Sequence, residues 1–346
     1  MTKRKAFLLD SLSSFRTNTY HKTNDNLYTD VRDANNIQNS INIYSWNTGK
    51  LRNKLTFPET GENGVGNISN FNVINDSLLV LLGGYHGKVS FYNMKNSSLT
   101  IHNIPGAMKN NGTPMGRTSF PVKFINNSLY FEVGPYYNLK GESLGGLIAE
   151  YRYDLLSKEL IPSFIIPDEV KMTEYHVAKS RFFLNDDTEV MSFKCCNSLF
   201  LKVKDTQKTV NLNIPDWIDP KFEELKTGYS TEKANTFYLE NYSLEQTLYD
   251  EFREYIYLFV GIPTSVRDPK TGRWRNFDEK DVVLYVLEPK DFSILSSINL
   301  PASEFYPRNS FVTKEGLFVS KSTFLNKKVR EDYMEFMLLE IKNSPF

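Results

Sequence analysis

Cysteine is almost absent from this chain of 346 residues: there are two, adjacent at Cys195 and Cys196 in SFKCCNSLF. Neighbouring side chains on a strand point to opposite faces, so no bridge between them is expected, and both are read as strand packing. Without a disulfide framework, cysteine usage carries no compartment signal. An excess of either charge is also missing, with 41 Lys plus Arg against 41 Asp plus Glu. No basic stripe exists, so nucleic acid is not expected as a partner, and the basic opening MTKRK reads as a solvated terminus. No apolar run approaches the roughly 18–20 residues of a membrane-spanning helix, so no transmembrane segment is expected. The stretch KAFLLDSLSSF is too short and too polar for the core of a signal peptide, and none is expected in this chain.

Catalytic signatures are equally scarce. The four histidines, His21, His86, His102 and His176, stand at no metal-ligand spacing with one another or with Cys, Asp or Glu. There is no G-x-S-x-G elbow and no P-loop, and the glycine pairs in LLGGYHG and GGLIAEY lack the strand–loop–helix setting of a phosphate cradle. Asn185–Asp187 begins like a calcium loop but lacks the spaced ligands and the terminal Glu. No metal and no cofactor is therefore expected.

What is abundant is aromatic residues suited to half-buried strands, 20 Tyr and 25 Phe against 3 Trp. The chain also repeats itself. VINDSLLVLL (Val73 to Leu82) and FINNSLYFEV (Phe124 to Val133) share one pattern, and weaker relatives begin at Thr23, Phe183 and Phe311. Each is a short apolar run, a polar turn rich in Asn, Asp or Gly, and a second run, as tight hairpins require. Downstream of the hairpins come strand–turn–strand units ending in proline, at Pro58, Pro105, Pro167, Pro215 and Pro301. Proline cannot donate to a sheet ladder and marks the strand end. The spacings of 47, 62, 48 and 86 residues, with 45 remaining to the C-terminus, give six units. The short ones match a four-stranded propeller blade of about 40–50 residues. A lone unit cannot bury both faces of its sheet, so the six are expected to stack around an axis.

The expected fold is all-β: a six-bladed β-propeller of four-stranded antiparallel blades. It forms a single domain over 1–346, with blades at approximately 11–58, 59–105, 106–167, 168–215, 216–301 and 302–346 plus 5–10. The last blade has only three strands of its own, and KAFLLD (Lys5 to Asp10) is expected to supply its outer strand and close the ring. The long segments 106–118, 134–147, 168–180, 216–243 and 261–281 are all crossovers or second-to-third-strand loops, which this topology puts on one face, around the channel mouth. A rigid scaffold that positions loops is a common platform for function. The candidate binding residues on this face are His86, Arg117, Tyr136, Tyr137, Tyr175, His176, Trp217, Arg267, Arg273, Trp274 and Arg275, rich in the types that dominate binding hot spots. His86, His176 and Arg117 are candidates to converge at the axis.

The segment LYDEFREYIYLFVGIP (Leu248 to Pro263) carries Tyr-Asp-x-x-Arg followed by Tyr-x-Tyr. With SINIYSWNTGKL (Ser40 to Leu51) and VVLYVLEPKDFSILSSINLP (Val282 to Pro301), it resembles the Bacteroidetes family called domain of unknown function 4221, of six-bladed, TolB-like propellers. The resemblance implies the fold from about residue 5 onward and a location in the bacterial cell envelope or periplasm, and it implies no activity. Within the motif, Asp250 is expected to accept from turn amides or to pair with Arg253, a structural role. The function expected is non-catalytic binding of a protein, peptide or glycan at the long-loop mouth. The alternatives are an enzyme, a lyase or hydrolase acting in that mouth, and a structural subunit of an envelope assembly.

Overall fold

The hairpins of the repeat are the first two strands of successive blades. Ile68–Asn75 and Leu78–Gly83 flank one turn, and Lys123–Ile125 and Ser128–Gly134 flank another. In the second turn Asn126 and Asn127 sit at φ of 47° and 60°, the left-handed region that Asn tolerates and a tight hairpin demands. The structure is a computed structural model that describes residues 3–9, 19–31, 39–104, 113–134, 145–170, 178–219, 231–276, 279–323 and 325–341.

Six antiparallel sheets form the ring of a six-bladed propeller. Counted from the axis, blade 1 is Tyr20–Lys22, Asn26–Val31, Asn39–Ser45 and Leu51–Phe57. Blade 2 runs from Ile68–Asn75 out to Ser98–Asn103, blade 4 from Lys179–Asn185 to Thr206–Asn211, and blade 5 from Ser243–Asp250 to Ile294–Leu300. Blade 6 is Tyr306–Thr313, Gly316–Ser320 and Tyr333–Leu339, completed by Arg4–Leu8 in register from Arg4 opposite Met337 to Leu8 opposite Tyr333. The chain's first strand thus closes the ring as its pattern predicts. In blade 3 the innermost strand is broken: Thr113–Met115 and Lys123–Ile125 both pair with Ser128–Gly134.

In blades 2 and 5 the second strands are almost wholly apolar because both of their faces are covered. Along Leu78–Gly83, Leu79 and Leu81 join the core shared with blade 1, while Val80 and Leu82 join the core shared with blade 3. Blade 5 repeats the alternation, with Ile256, Leu258 and Val260 toward blade 4 and Tyr257 and Phe259 toward blade 6. The junction of blades 6 and 1 is aromatic. Phe7 of the closing strand lies 5.8 Å from Tyr44, 5.8 Å from Trp46 and 6.0 Å from Phe336. Every junction of the ring therefore carries an apolar layer.

Innermost strands have an unpaired edge, and polar side chains of neighbouring blades satisfy it. Asn70 Oδ1 accepts from Val122 N at 3.0 Å, Ser180 Oγ accepts from Thr247 N at 2.9 Å, and Gln246 Nε2 donates to Ser310 O at 3.3 Å. Between blades 3 and 4, Arg181 pairs with the buried Glu150. Glu189 adjoins that pair; its burial, and then the charge of Glu150, push its carboxyl well above the usual range.

Three local expectations are corrected. Cys195 and Cys196 lie in the turn after Thr188–Phe193 rather than on a strand, because the ladder ends at Phe193. The segment 216–243, expected to be loop, contains the helix Thr231–Glu240, whose Ala234 and Leu239 are buried. The segment 106–118 is likewise not loop throughout, since Thr113–Met115 pairs with Glu132–Gly134.

Candidate functional site

In this topology the blade-to-blade crossovers and the second-to-third-strand loops share one face. The turn Gly84–His86, the turn at Lys194–Asn197, the helix Thr231–Glu240 and the excursion 262–281 all belong to it. On this face charged side chains emerge from strand ends and turns, with Glu132, Lys179, Lys194 and Glu245 buried and Arg117 and Arg308 partly exposed. Glu132, near the end of its strand, takes Arg117 in a bidentate pair, with Nε and Nη2 each donating at 2.8 Å. Lys179, at the start of the next inner strand, lies 3.2 Å from the same carboxylate and donates to Val133 O at 2.9 Å. Burial alone would raise the pKa of Glu132; the charges of Arg117 and then Lys179 outweigh it and hold the group below its usual range.

A second carboxylate, Glu245 of blade 5, gathers a larger set of cations. Arg308 of blade 6 reaches it at 2.7 Å, Lys194 of blade 4 at 3.2 Å, and Ser243 Oγ at 2.7 Å. Lys280 lies behind, donating to Tyr238 O at 2.7 Å and Ser243 Oγ at 2.9 Å. Burial pulls Glu245 up, but Lys194, Arg308 and Lys280 together hold it well below the usual carboxylate range. The cations bear the complementary cost. Burial, opposed by Glu245, lowers Lys194 to about 7, and it lowers Lys280 to about 8. Gly261 makes room for this packing: a Cβ there would lie 2.8 Å from Ser243 Oγ and 3.1 Å from Glu245 Oε1.

Tyr238 of the helix joins the two groups. Its ring centroid is 3.9 Å from Lys194 Nζ, and the charges of both Arg308 and Arg117 act on its hydroxyl. Burial dominates at Cys195 beside it, pushing the thiol up to about 12 despite nearby lysines. Beyond Tyr238 opens a cavity of about 500 Å³, walled by Glu232, Asn235, Trp274, Arg275 and Asn276. Its far wall is a small hairpin in which the Arg267 guanidinium covers the Trp274 ring at 4.7 Å and Arg273 pairs with Glu279 at 2.7 Å. Arg275 donates to Thr264 Oγ1 at 2.6 Å, and its carbonyl accepts from Asn235 Nδ2 at 2.7 Å, which fixes hairpin to helix.

The candidates read from the sequence divide accordingly. Trp274 and Arg275 line the cavity, Arg267 and Arg273 brace its wall, and Arg117 belongs to the ionic group. Trp217 is half-buried, its ring 5.4 Å from Tyr242 and its Nε1 bonded to Asp219 at 2.9 Å, at the edge of the core between blades 4 and 5. His86 Nδ1 accepts from Asn67 N at 3.3 Å, in the turn between the second and third strands of blade 2. Tyr136, Tyr137, Tyr175 and His176 lie outside the described residues. Glu132, Lys179, Lys194, Tyr238, Glu245, Lys280 and Arg308 were not picked out from sequence. Their one signal is a charge set inside or at the end of an apolar run, as in LYFEVG and SFKCC. Among the described residues no three His, Cys, Asp or Glu side chains are grouped as a metal site, and no helix is long and apolar enough to cross a membrane.

The opposite, short-turn face also carries a cavity, of about 550 Å³, bounded by Lys5, Lys22, Trp46, Phe252, Lys314 and Glu315. Lys5 and Lys22 lie over the Trp46 ring, 4.8 and 4.4 Å from its centroid.

The ring of six four-stranded blades defines a six-bladed β-propeller. Its fold is that of the domain of unknown function 4221 family, in agreement with the resemblance carried by Leu248–Pro263. A member of that family from Bacteroides vulgatus superposes with a TM-score of 0.76 at 17% identity, over 99% of this chain and 97% of that one. A Bacteroides fragilis protein described as exported gives 0.56 at 10% identity, covering 98% and 96%. A calcium-binding protein, regucalcin, from Agrobacterium tumefaciens gives 0.51 at 13% identity, covering 96% and 93%. No family model and no curated protein matches the sequence.

Proposed function

We propose that the protein is a non-catalytic binding propeller whose long-loop mouth engages a protein, peptide or glycan. The observation that carries this reading is the pairing, on one face, of the basic group around Glu132 and Glu245 with the adjoining cavity walled by Tyr238, Trp274 and Arg275. Tyr, Trp and Arg are the types that concentrate binding energy, and the cavity lies within the range of small-ligand sites. A place in the bacterial cell envelope belongs to the same proposal, supported by the description of the Bacteroides fragilis neighbour as exported.

One observation favours an enzyme as the second reading: a lysine lowered to about 7 stands against a tyrosine, and perturbed groups cluster at catalytic sites. A lyase or hydrolase would use them as base and acid.

A thermal-shift screen of glycans, peptides and small metabolites tests the proposal. A ligand at ~100-fold over its Kd adds about 2.7 kcal/mol to stability. The shift is expected to vanish in Trp274→Ala and to persist in Phe252→Ala on the opposite face. The reverse pattern contradicts the proposal, and turnover of the hit moves the reading to an enzyme.

A further inference from the structure

The seam between blades 3 and 4 buries two carboxyl groups against one guanidinium. Glu150, on the third strand of blade 3, is fully buried, and its Oε2 accepts from Arg181 Nη1 on the first strand of blade 4. Glu189, on the second strand of blade 4, is also buried and lies within hydrogen-bond reach of the Glu150 carboxyl. The Oε1 atoms of both glutamates are buried and find no donor among the described residues. The neighbouring cations are engaged elsewhere. Arg181 Nη2 donates to Pro121 O, and the guanidinium carbon lies 4.6 Å from the Phe120 ring centroid and 4.8 Å from that of Phe183. Lys202, opposite Glu189 on the next strand, donates to Ser163 O at 2.5 Å and to Ser163 Oγ at 3.2 Å, and its charge acts on Glu189 more weakly than that of Arg181. Arg152 hydrogen-bonds the Tyr130 side chain. Two buried carboxylates in contact cannot both stay ionised beside a single guanidinium. One proton supplies the donor that both orphaned oxygens lack.

We propose that Glu150 and Glu189 hold one proton between them and that this proton ties blade 3 to blade 4: opening the seam releases it, so the junction weakens as pH rises. This goes beyond the binding function proposed above and does not rest on it. The titratable and charged groups around the pair are Tyr130 and Arg152 of blade 3 and Lys179, Arg181 and Lys202 of blade 4. Burial pushes Tyr130 up, so it stays neutral, and Lys179 pairs with Glu132 at 3.2 Å. The carboxyl pair is therefore the titrating unit of the seam. Burial and the charge of Glu150 raise Glu189 well above the ordinary value of 4.5 to which it returns when the seam opens. Between those two values the closed seam holds a proton that the open one has lost, and each unit of pH favours opening by up to about tenfold. The seam carries the mouth with it. Glu132 stands directly opposite Glu150 in the blade 3 ladder, Lys179 is on the same strand as Arg181, and the Glu132–Lys179 contact crosses the same junction. Loss of the proton loosens that contact too.

Infrared difference spectra of the full chain test the shared proton. At pH 7 the wild type is expected to show the carbonyl stretch of a neutral carboxylic acid that is lost both in Glu189→Gln and in Glu150→Gln, because a single carboxylate left beside Arg181 ionises. No such band in the wild type overturns the proposal: both groups are then ionised, and a buried water or cation fills the seam. A band that survives Glu150→Gln overturns the sharing. Amide hydrogen exchange tests the tie between the blades. Protection in 148–154 and 179–185, read against Glu189→Gln at each pH, is expected to fall by up to about tenfold per unit as pH climbs from about 5. The same dependence in both chains overturns the tie. Should both variants fold poorly, the carboxyl carbon shifts of the wild-type chain labelled at glutamate report the same proton. A glutamate still neutral at pH 7 is expected, and none overturns the proposal.

Discussion

Asp250 and Arg253 meet at 3.1 Å across the first turn of blade 5, and the guanidinium continues to the carbonyl oxygens of Lys314 at 2.8 Å and Thr313 at 3.3 Å in blade 6. Asp250 is fully buried; its Oδ1 accepts from the amides of Phe252 and Arg253, and its Oδ2 accepts from the Tyr257 hydroxyl at 2.9 Å. The Tyr-Asp-x-x-Arg pattern that carries the family resemblance is thus a latch between two blades, and it lies on the face away from the basic mouth. Removing one partner of a buried ion pair leaves the other uncompensated, at a cost of about 3–5 kcal/mol. Asp250→Ala is expected to lose that much in urea unfolding, and Tyr257→Phe about 1 kcal/mol. A loss below about 1 kcal/mol for Asp250→Ala would mean that the latch does not hold the blades.

Closure of the ring makes its own prediction. Phe7 is fully buried among Tyr44, Trp46 and Phe336. Phe7→Ala is expected to cost about 3–5 kcal/mol, the usual range for a buried Phe. Deleting residues 1–12 removes the fourth strand of blade 6 as well and should lower the melting temperature further. An unchanged melt for the deletion would contradict closure by Arg4–Leu8.

The buried lysines give stability an unusual pH dependence. Lys194 falls from 10.5 to about 7 on folding, so between these values the unfolded chain binds more protons than the folded one. The contribution of this group to stability therefore rises as pH climbs from about 7 toward 10.5, and Lys280 acts in the same sense from about 8. Unfolding free energy measured from pH 7 to 9 without added anions should have a shallower upward slope in Lys194→Gln than in wild type. Equal slopes would show that Lys194 ionises normally in the fold.

Both thiols are expected to be inert in the native state. Burial pushes each to about 12, and they form no disulfide. Attack on a thiol reagent requires the thiolate. At pH 8 the reagent should find almost nothing in the folded chain and two thiols after unfolding in guanidinium; one fast thiol before unfolding would contradict the burial of this corner.

The blades were legible because their signals are local. Asn126–Asn127 announces a left-handed hairpin, Pro58 and Pro301 follow the ends of outer strands, and the fourth strand missing from blade 6 points back to Lys5–Asp10. The face holding the long loops followed from topology alone, and Trp274 and Arg275, expected on it, line a cavity there. The basic mouth was not legible. Glu132, Lys179, Lys194, Glu245 and Arg308 come from four blades, and ring closure rather than sequence spacing brings them together. The helix Thr231–Glu240 was missed because its apolar side amounts to little more than Ala234, Tyr238 and Leu239. Trp217 and His86, picked for their place on that face, each have a local partner, in Asp219 and in the Asn67 amide.

The central claim, that ligands enter at the long-loop mouth, is tested most directly by amide hydrogen exchange with and without a saturating ligand from the thermal-shift screen. Ligand-dependent protection is predicted in 243–246, 261–276 and 306–309, the segments around Glu245, the Trp274 hairpin and Arg308. Protection instead at 22–24, 46–47 and 312–315, around the Trp46 cavity, would contradict the account.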